Sequence, residues 1–328
     1  MKKEILALLV VVACWGPTLQ ANDWINAPIS EVQKAAEQGD ADAQLLLGVK
    51  YEQGKGVAQD DKQAVAWYRK AAEQGDVDAQ GRLGVMYLHG RGVAQDDKQA
   101  ATWLRKAAEQ GYVDAQSRLG AMYELGKGVA QDDKQAVAWY RKAAEQGDAY
   151  AQSQLGGMYL QGRGVAQDDK QAATWLRKAA EQGDVDAQLL LGAMYVNGRG
   201  VAQDYKQAVA WYRKAAEQGN VDAQFRLGGM YFQGRGVAQD DKQAVAWFRK
   251  AAEQGNADAQ LMLGVMYDKG RGVAQDDKQS YAWFSSAAAN GYSDAVKGRD
   301  IMAKRLTPAA LAEGQQLATR YFEQYRPK

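Results

Sequence analysis

A tryptophan returns every 36 residues through most of this chain: Trp67, Trp103, Trp139, Trp175, Trp211, Trp247 and Trp283. Leucine keeps the same step at Leu47, Leu83, Leu119, Leu155, Leu191, Leu227 and Leu263. Self-similarity at a period of roughly 20–50 residues marks a stacked array of small modules, none of which buries its apolar face alone. Such an array builds its core between neighbours, which favours a binding surface over a catalytic cleft. It also overrides the length prior of about 150 residues per domain, under which a chain of 328 residues would form two globules. The chain reads as one elongated domain.

Residues 75–110 show the module, and further copies start at Gly39, Gly111, Gly147, Gly183, Gly219 and Gly255. In its first half Ala79, Leu83, Met86 and Tyr87 fall on one helical face; in its second half Ala100, Trp103, Leu104 and Ala107 do the same. Between them, Gly90 supplies a left-handed helix stop. Asp96 caps the second helix, with Gln99 placed to complete a capping box. Gly111 ends that helix, and an Asp or Asn usually caps the next one, although Tyr112 takes that place in the third copy. The expected fold is therefore all-α, a right-handed α-solenoid of 36-residue helix-loop-helix repeats. Gly84 and its copies lie inside the first helix, where Gly costs about 1 kcal/mol against Ala. Their recurrence predicts another backbone passing too close for a Cβ. The tryptophans read as core.

The ends depart from the repeat, as terminal caps do. Residues 22–38 hold a partial second helix from Ile29 to Gln38. Residues 39–290 hold the seven repeats, and 291–328 form a C-terminal capping segment in which Thr307 caps a last helix opened by Pro308. Tyr321, Phe322 and Tyr325 are placed to pack that helix onto the last full repeat.

Residues 1–21 resemble an export signal: Lys2 and Lys3, an apolar run from Ile5 to Ala13, a break at Gly16-Pro17, and a cut after Ala21. The run is too short to span a bilayer as a retained helix. The chain's single cysteine, Cys14, also sits in a lipoprotein-like Val11-Val12-Ala13-Cys14 box, so a lipid anchor is the alternative. Cleavage after Ala21 would leave a periplasmic or secreted protein without cysteine, held by packing alone. Basic and acidic residues nearly cancel, 41 against 40, which leaves no electrostatic footprint for nucleic acid and no polybasic membrane patch.

The motif Ala-Gln-x-x-Leu-Gly-x-Met-Tyr, then Gly-x-Gly-Val-x-x-Asp, then Ala-x-x-Trp-x-x-Lys-Ala-Ala and Gly, is similar to the Sel-one-like repeat, a relative of the tetratricopeptide repeat. The resemblance covers about residues 39–290. It implies a superhelical adaptor for protein or peptide partners, with the outer side of each first helix lining a concave groove. A cysteine-rich subset of the family has been tied to penicillin binding and β-lactam hydrolysis, which makes an envelope enzyme the alternative function. No repeat here contains a cysteine, so that activity is not carried over.

The repeats differ from one another mostly on the outer side of the first helix. Unconstrained drift of exposed positions, or a purely structural spacer, explains that variation without a ligand. Against it, several variable positions are apolar: Leu88, Leu125 and Leu160, and a group at Leu189, Leu190, Phe225, Phe232, Leu261 and Met262 spaced to touch across repeats five to seven. Arg82, Arg118 and Arg226 share that side and suit the carboxylates of an extended peptide. These residues form the candidate ligand groove.

Catalytic, metal and cofactor signals are weak, and no cofactor is expected. His89, the only histidine, stands at a variable solvent-side position and cannot build a zinc site alone. No Ser or Cys has a His base within a repeat motif. Gly90-Arg91-Gly92 follows a helix and reads as turn chemistry, not a phosphate loop. Asp96-Asp97 offers too few oxygens for more than weak calcium binding, and capping explains it.

Overall fold

A computed structural model describes residues 27–325, so the expected export signal at residues 1–21, with Cys14, and residues 22–26 lie outside the described residues. The chain divides into two compact units, one ending at Asp132 and one beginning at Asp133. Both are built from helices alone among the described residues. The first unit holds α1 (Ile29–Glu37), α2 (Ala41–Gln53), α3 (Asp61–Glu73), α4 (Val77–His89), α5 (Asp97–Glu109) and α6 (Val113–Leu125). The second begins with α7 (Asp133–Glu145), α8 (Ala149–Gln161), α9 (Asp169–Glu181), α10 (Val185–Asn197) and α11 (Tyr205–Glu217). It continues with α12 (Val221–Gln233), α13 (Asp241–Glu253), α14 (Ala257–Lys269), α15 (Asp277–Ala289), α16 (Ser293–Arg305) and α17 (Pro308–Tyr325). Within each unit every helix packs on the one before and the one after it, the pattern of an α-solenoid. The exception is α17, which lies on α15 and touches α13.

Local chemistry sets the helix ends. Asp76 Oδ1 accepts from the Ala79 N–H at 2.7 Å, and Gly90 ends α4 in the left-handed region at φ 66°. Asp96 Oδ1 accepts from the N–H groups of Lys98 and Gln99 at 2.9 and 3.0 Å. The expected capping box stays half-made, because the Asp96 N–H donates instead to the Tyr87 carbonyl at 3.0 Å. Tyr112 caps nothing with its side chain. Its ring instead occupies the space over Gly81, where a Cβ would lie 2.7 Å from Cε1.

The tryptophans expected in the core divide: Trp103, Trp139, Trp211 and Trp283 are buried. The residue after each tryptophan is the one driven to the centre: Tyr68, Leu104, Tyr140 and Leu176 are all fully buried. Trp67, Trp175 and Trp247 are only half-buried. Their indole faces lie at the module edge under the lysine three residues on, as in Lys178 over Trp175 at 4.3 Å and Lys250 over Trp247 at 4.0 Å.

The mid-helix glycines are corrected in the same way. A Cβ on Gly84 would lie 2.6 Å from Leu104 Cγ, and one on Gly192 would lie 2.6 Å from the Tyr212 ring. A side chain, not a crossing backbone, claims that space first. Backbone closeness falls instead on the second glycine of each loop after the first. A Cβ on Gly92 would lie 2.1 Å from the Asp61 carbonyl oxygen of the preceding repeat. Gly128 on Asp97, Gly164 on Asp133 and Gly272 on Asp241 repeat that contact.

Polar ladders join the repeats. Gln80 is buried; its Nε2 donates to the Ala72 carbonyl at 3.1 Å, and its Oε1 accepts from Gln110 at 2.8 Å. Gln44, Gln152, Gln188 and Gln224 repeat this arrangement, which satisfies each buried amide. Arg69 donates to the Tyr87 hydroxyl at 2.5 Å, and Arg105–Tyr123, Arg141–Tyr159 and Arg213–Tyr231 follow the same spacing.

Candidate functional site

The outer side of the first helices carries the predicted groove residues in very different states. In the first unit, Arg82 is paired with Glu52 at 3.2 Å and Arg118 with Asp114 at 2.7 Å. Both guanidinium groups are largely shielded, so intramolecular carboxylates already hold them. Leu88 is buried, whereas Leu125 at the end of α6 is half exposed, at 51 %.

In the second unit the apolar candidates separate. Phe225, Phe232 and Met262 converge on one buried cluster around Phe248 and Trp283. Leu189 packs on the cluster of Tyr212, Leu190 with Leu160 on that of Leu176, and Leu261 on that of Phe284. The expected single patch is thus three residues with outliers. The Phe225 ring lies 5.7 Å from that of Phe248, tilted by 40°, and Arg271 covers Phe232 at 4.0 Å. Arg226 is exposed, with its guanidinium beside the Tyr212 hydroxyl. Gly229, one turn beyond Phe225, has open space where a Cβ would stand, and so does Gly157 on α8. The backbone of α12 is therefore accessible between Phe225 and Phe232.

His89 is exposed at the end of α4. Partial burial, then the cations Arg118, Arg91 and Lys127, hold its pKa below the ordinary value, which keeps the ring neutral at neutral pH. Among the described residues no group of three or more His, Cys, Asp or Glu side chains converges on a metal-sized site, and no helix is long and apolar enough to cross a membrane. The acidic pair at each loop is divided between two tasks. Asp60 caps α3, while Asp61 takes Arg91 of the next loop at 3.0 Å. Arg163–Asp133 and Arg271–Asp241, both at 2.8 Å, repeat the pairing. Where Tyr205 replaces the aspartate, Arg235 lies over its ring at 4.2 Å.

Sequence reasoning missed a recess of about 480 Å3 in the first unit. Arg69 and Glu73 of α3, Tyr87 of α4, the loop 93–96, and Gln99 and Trp103 of α5 line it. The periodic Trp was the available signal, read from the sequence as core; the Arg69–Tyr87 spacing went unremarked.

Helix pairs joined by a Gly-x-Gly loop and stacked at a 36-residue step define a tandem-repeat interaction scaffold. The Sel1 repeat model matches residues 41–76, 77–112, 113–148, 149–184, 185–220, 221–256 and 257–292. The chain belongs to the Sel1 repeat family, whose members are protein-interaction scaffolds. Among solved structures it is similar to a Sel1 repeat protein from Oxalobacter formigenes, at 41 % identity over 82 % of this chain and 78 % of that one, with a TM-score of 0.66. It is also similar to a protective antigen present in uropathogenic Escherichia coli strains that displays an SLR fold. That likeness reaches 35 % identity over 91 % of this chain and 87 % of the other, with a TM-score of 0.54. The comparison with curated proteins yields no match.

Proposed function

We propose that this chain is an exported bacterial scaffold that binds a protein or peptide segment along the outer side of its first helices. The observation that carries the reading is α12. Exposed Arg226 and the open backbone at Gly229 lie between half-buried Phe225 and Phe232, a polar and apolar mixture suited to an extended acidic peptide. Intramolecular pairing of Arg82 and Arg118 moves the centre of the proposed groove from the first unit to the second. The lysine-led segment 1–21 supports export, with lipidation at Cys14 as the competing form of attachment. No cofactor takes part. A role as a non-catalytic adaptor agrees with the family and with a variable face that carries no acid–base or nucleophile constellation.

Selection of displayed peptides on the full chain tests this. Enriched sequences should carry Asp or Glu beside an apolar residue, and Arg226→Glu should weaken them about ten-fold or more while His89→Ala leaves them unchanged. Absence of enrichment, or equal binding by Arg226→Glu, would contradict the groove. Phe225 is unsuited to such a test, since its ring supports Phe248.

A further inference from the structure

The recess at Trp103 has a filled counterpart in the same chain. Adding five repeats, 180 residues, to its lining gives Arg249, Glu253, Tyr267, Val273, Gln279 and Trp283, identical in type at every position. There the occupant is α17. The Tyr321 ring lies 4.3 Å from that of Trp283, and its hydroxyl donates to Gln279 Oε1 at 2.7 Å. Tyr325 stacks on the same indole at 5.8 Å and 13°, with its hydroxyl near Glu253 and Arg249. Tyr267 and Val273 pack in the same cluster as both tyrosines. Lys278 pairs with Glu313 at 2.7 Å, and Gly314 lets α17 approach Tyr281. The equivalent of Lys278 in the first unit, Lys98, is exposed.

We infer that the open recess bounded by Arg69, Tyr87, Gln99 and Trp103 is a docking site for a helix of a partner protein that presents two tyrosines one turn apart. The chain's own tail supplies the pattern: an acidic residue, a small residue next to it, then tyrosines eight and twelve positions after the acid. The first hydroxyl goes to Gln99, the two rings lie on the Trp103 indole, and the acid meets Lys98. Lys106 covers part of the Trp103 ring from 4.2 Å, whereas Ser286 stands at that place beside Trp283. The open site therefore receives its helix more weakly than the last repeat holds α17, as suits an exchangeable partner. This inference does not rest on the proposed groove, because the recess is built from second helices, a loop and, of the first helices, only Tyr87, which is not among the groove residues.

The test is titration of the full chain with a synthetic peptide of residues 308–325, followed by cross-linking with a photoreactive phenylalanine at the position of Tyr321. The expected result is saturable binding, label on the tryptic segment 83–91 that carries Tyr87 and occurs once in the chain, and affinity lowered about ten-fold or more by alanine at both peptide tyrosines. Gln99→Ala in the chain should remove label from segment 83–91. No saturable binding, binding indifferent to the tyrosines, or label confined to the segment carrying Tyr267 would overturn the inference, the last because it reports exchange with the resident tail. Concentration-dependent self-association abolished by Tyr321→Ala would also overturn it, by giving the recess to a second copy. None of these outcomes bears on Arg226.

Discussion

Gly92 sits against the carbonyl of Asp61 so closely that a Cβ on it would lie 2.1 Å from that oxygen. From the second loop onward, the second glycine is thereby the place where one repeat rests on the backbone of the one before it. Gly111 also has a positive φ, 95° against 66° at Gly92, but nothing within 4 Å of its missing Cβ.

Gly92→Ala should accordingly combine left-handed strain with a backbone clash and cost about 2–5 kcal/mol, while Gly111→Ala should cost only about 1–2 kcal/mol from strain. Denaturant midpoints of the two variants check this. Equal losses would show that the loop glycine does not fix the contact between repeats.

Gly156 and Gly157 are neighbours on α8 with opposite surroundings. A Cβ on the first would lie 2.6 Å from Leu176 Cγ, and one on the second would meet open space. Gly156→Ala should destabilise by about 1–3 kcal/mol. Gly157→Ala should stabilise by about 0.5–1 kcal/mol through helix propensity. Thermal melts of both variants decide it, and a shared sign would refute the packing described.

These glycines also show what the sequence could convey. The 36-residue period, the alternation of two helices and the caps at Asp76 and Gly90 were legible, because local chemistry and periodicity dictate them. Periodicity could not tell Trp175 from Leu176. Both lie on the apolar face, yet in the fold the leucine is fully buried and the indole only half-buried. The buried Gln80 was visible as part of a motif, but its bonds to Ala72 and Gln110 join residues 8 and 30 positions away. The groove was the least legible part, since whether Leu88 or Leu125 faces solvent depends on neighbouring helices that the pattern does not orient. Arg82 looked free in the sequence, and Glu52 of the preceding repeat holds it.

Asp97 shows how one residue change alters a repeated contact. Its counterparts Asp61, Asp133 and Asp241 each hold an arginine of the next loop, but Lys127 stands there in the third copy, and Asp97 Oδ1 is buried without a hydrogen-bond partner. Lys127→Arg should restore the forked pairing and raise stability by about 0.5–1 kcal/mol. A chemical denaturation series checks it. A loss of stability would show that the site cannot admit the guanidinium.

Tyr112 contributes to the alkaline pH dependence of the first unit, alongside the more deeply buried Tyr68, whose hydroxyl is also pushed up. Burial, followed by the carboxylates of Asp78 and Asp114, pushes the Tyr112 hydroxyl up to about 12 from an ordinary 10.0. The folded state thus favours the neutral phenol. The stability linked to it is fully present below about pH 10 and is lost as pH rises towards about 12. Phenolate absorbance should show a late-titrating group that Tyr112→Phe removes, and that variant should lose less stability between pH 10 and 12. An unchanged titration would contradict the assignment.

The central claim is that the first-helix face, and not a reaction cleft, is the working surface. Its most direct test is a photo-crosslinking residue placed at Arg226 in living cells, compared with one at exposed Lys242 on α13. The account predicts a discrete protein adduct from position 226 that mass spectrometry resolves to one acidic segment, with none from position 242. Equal or absent adducts from the two positions would contradict it.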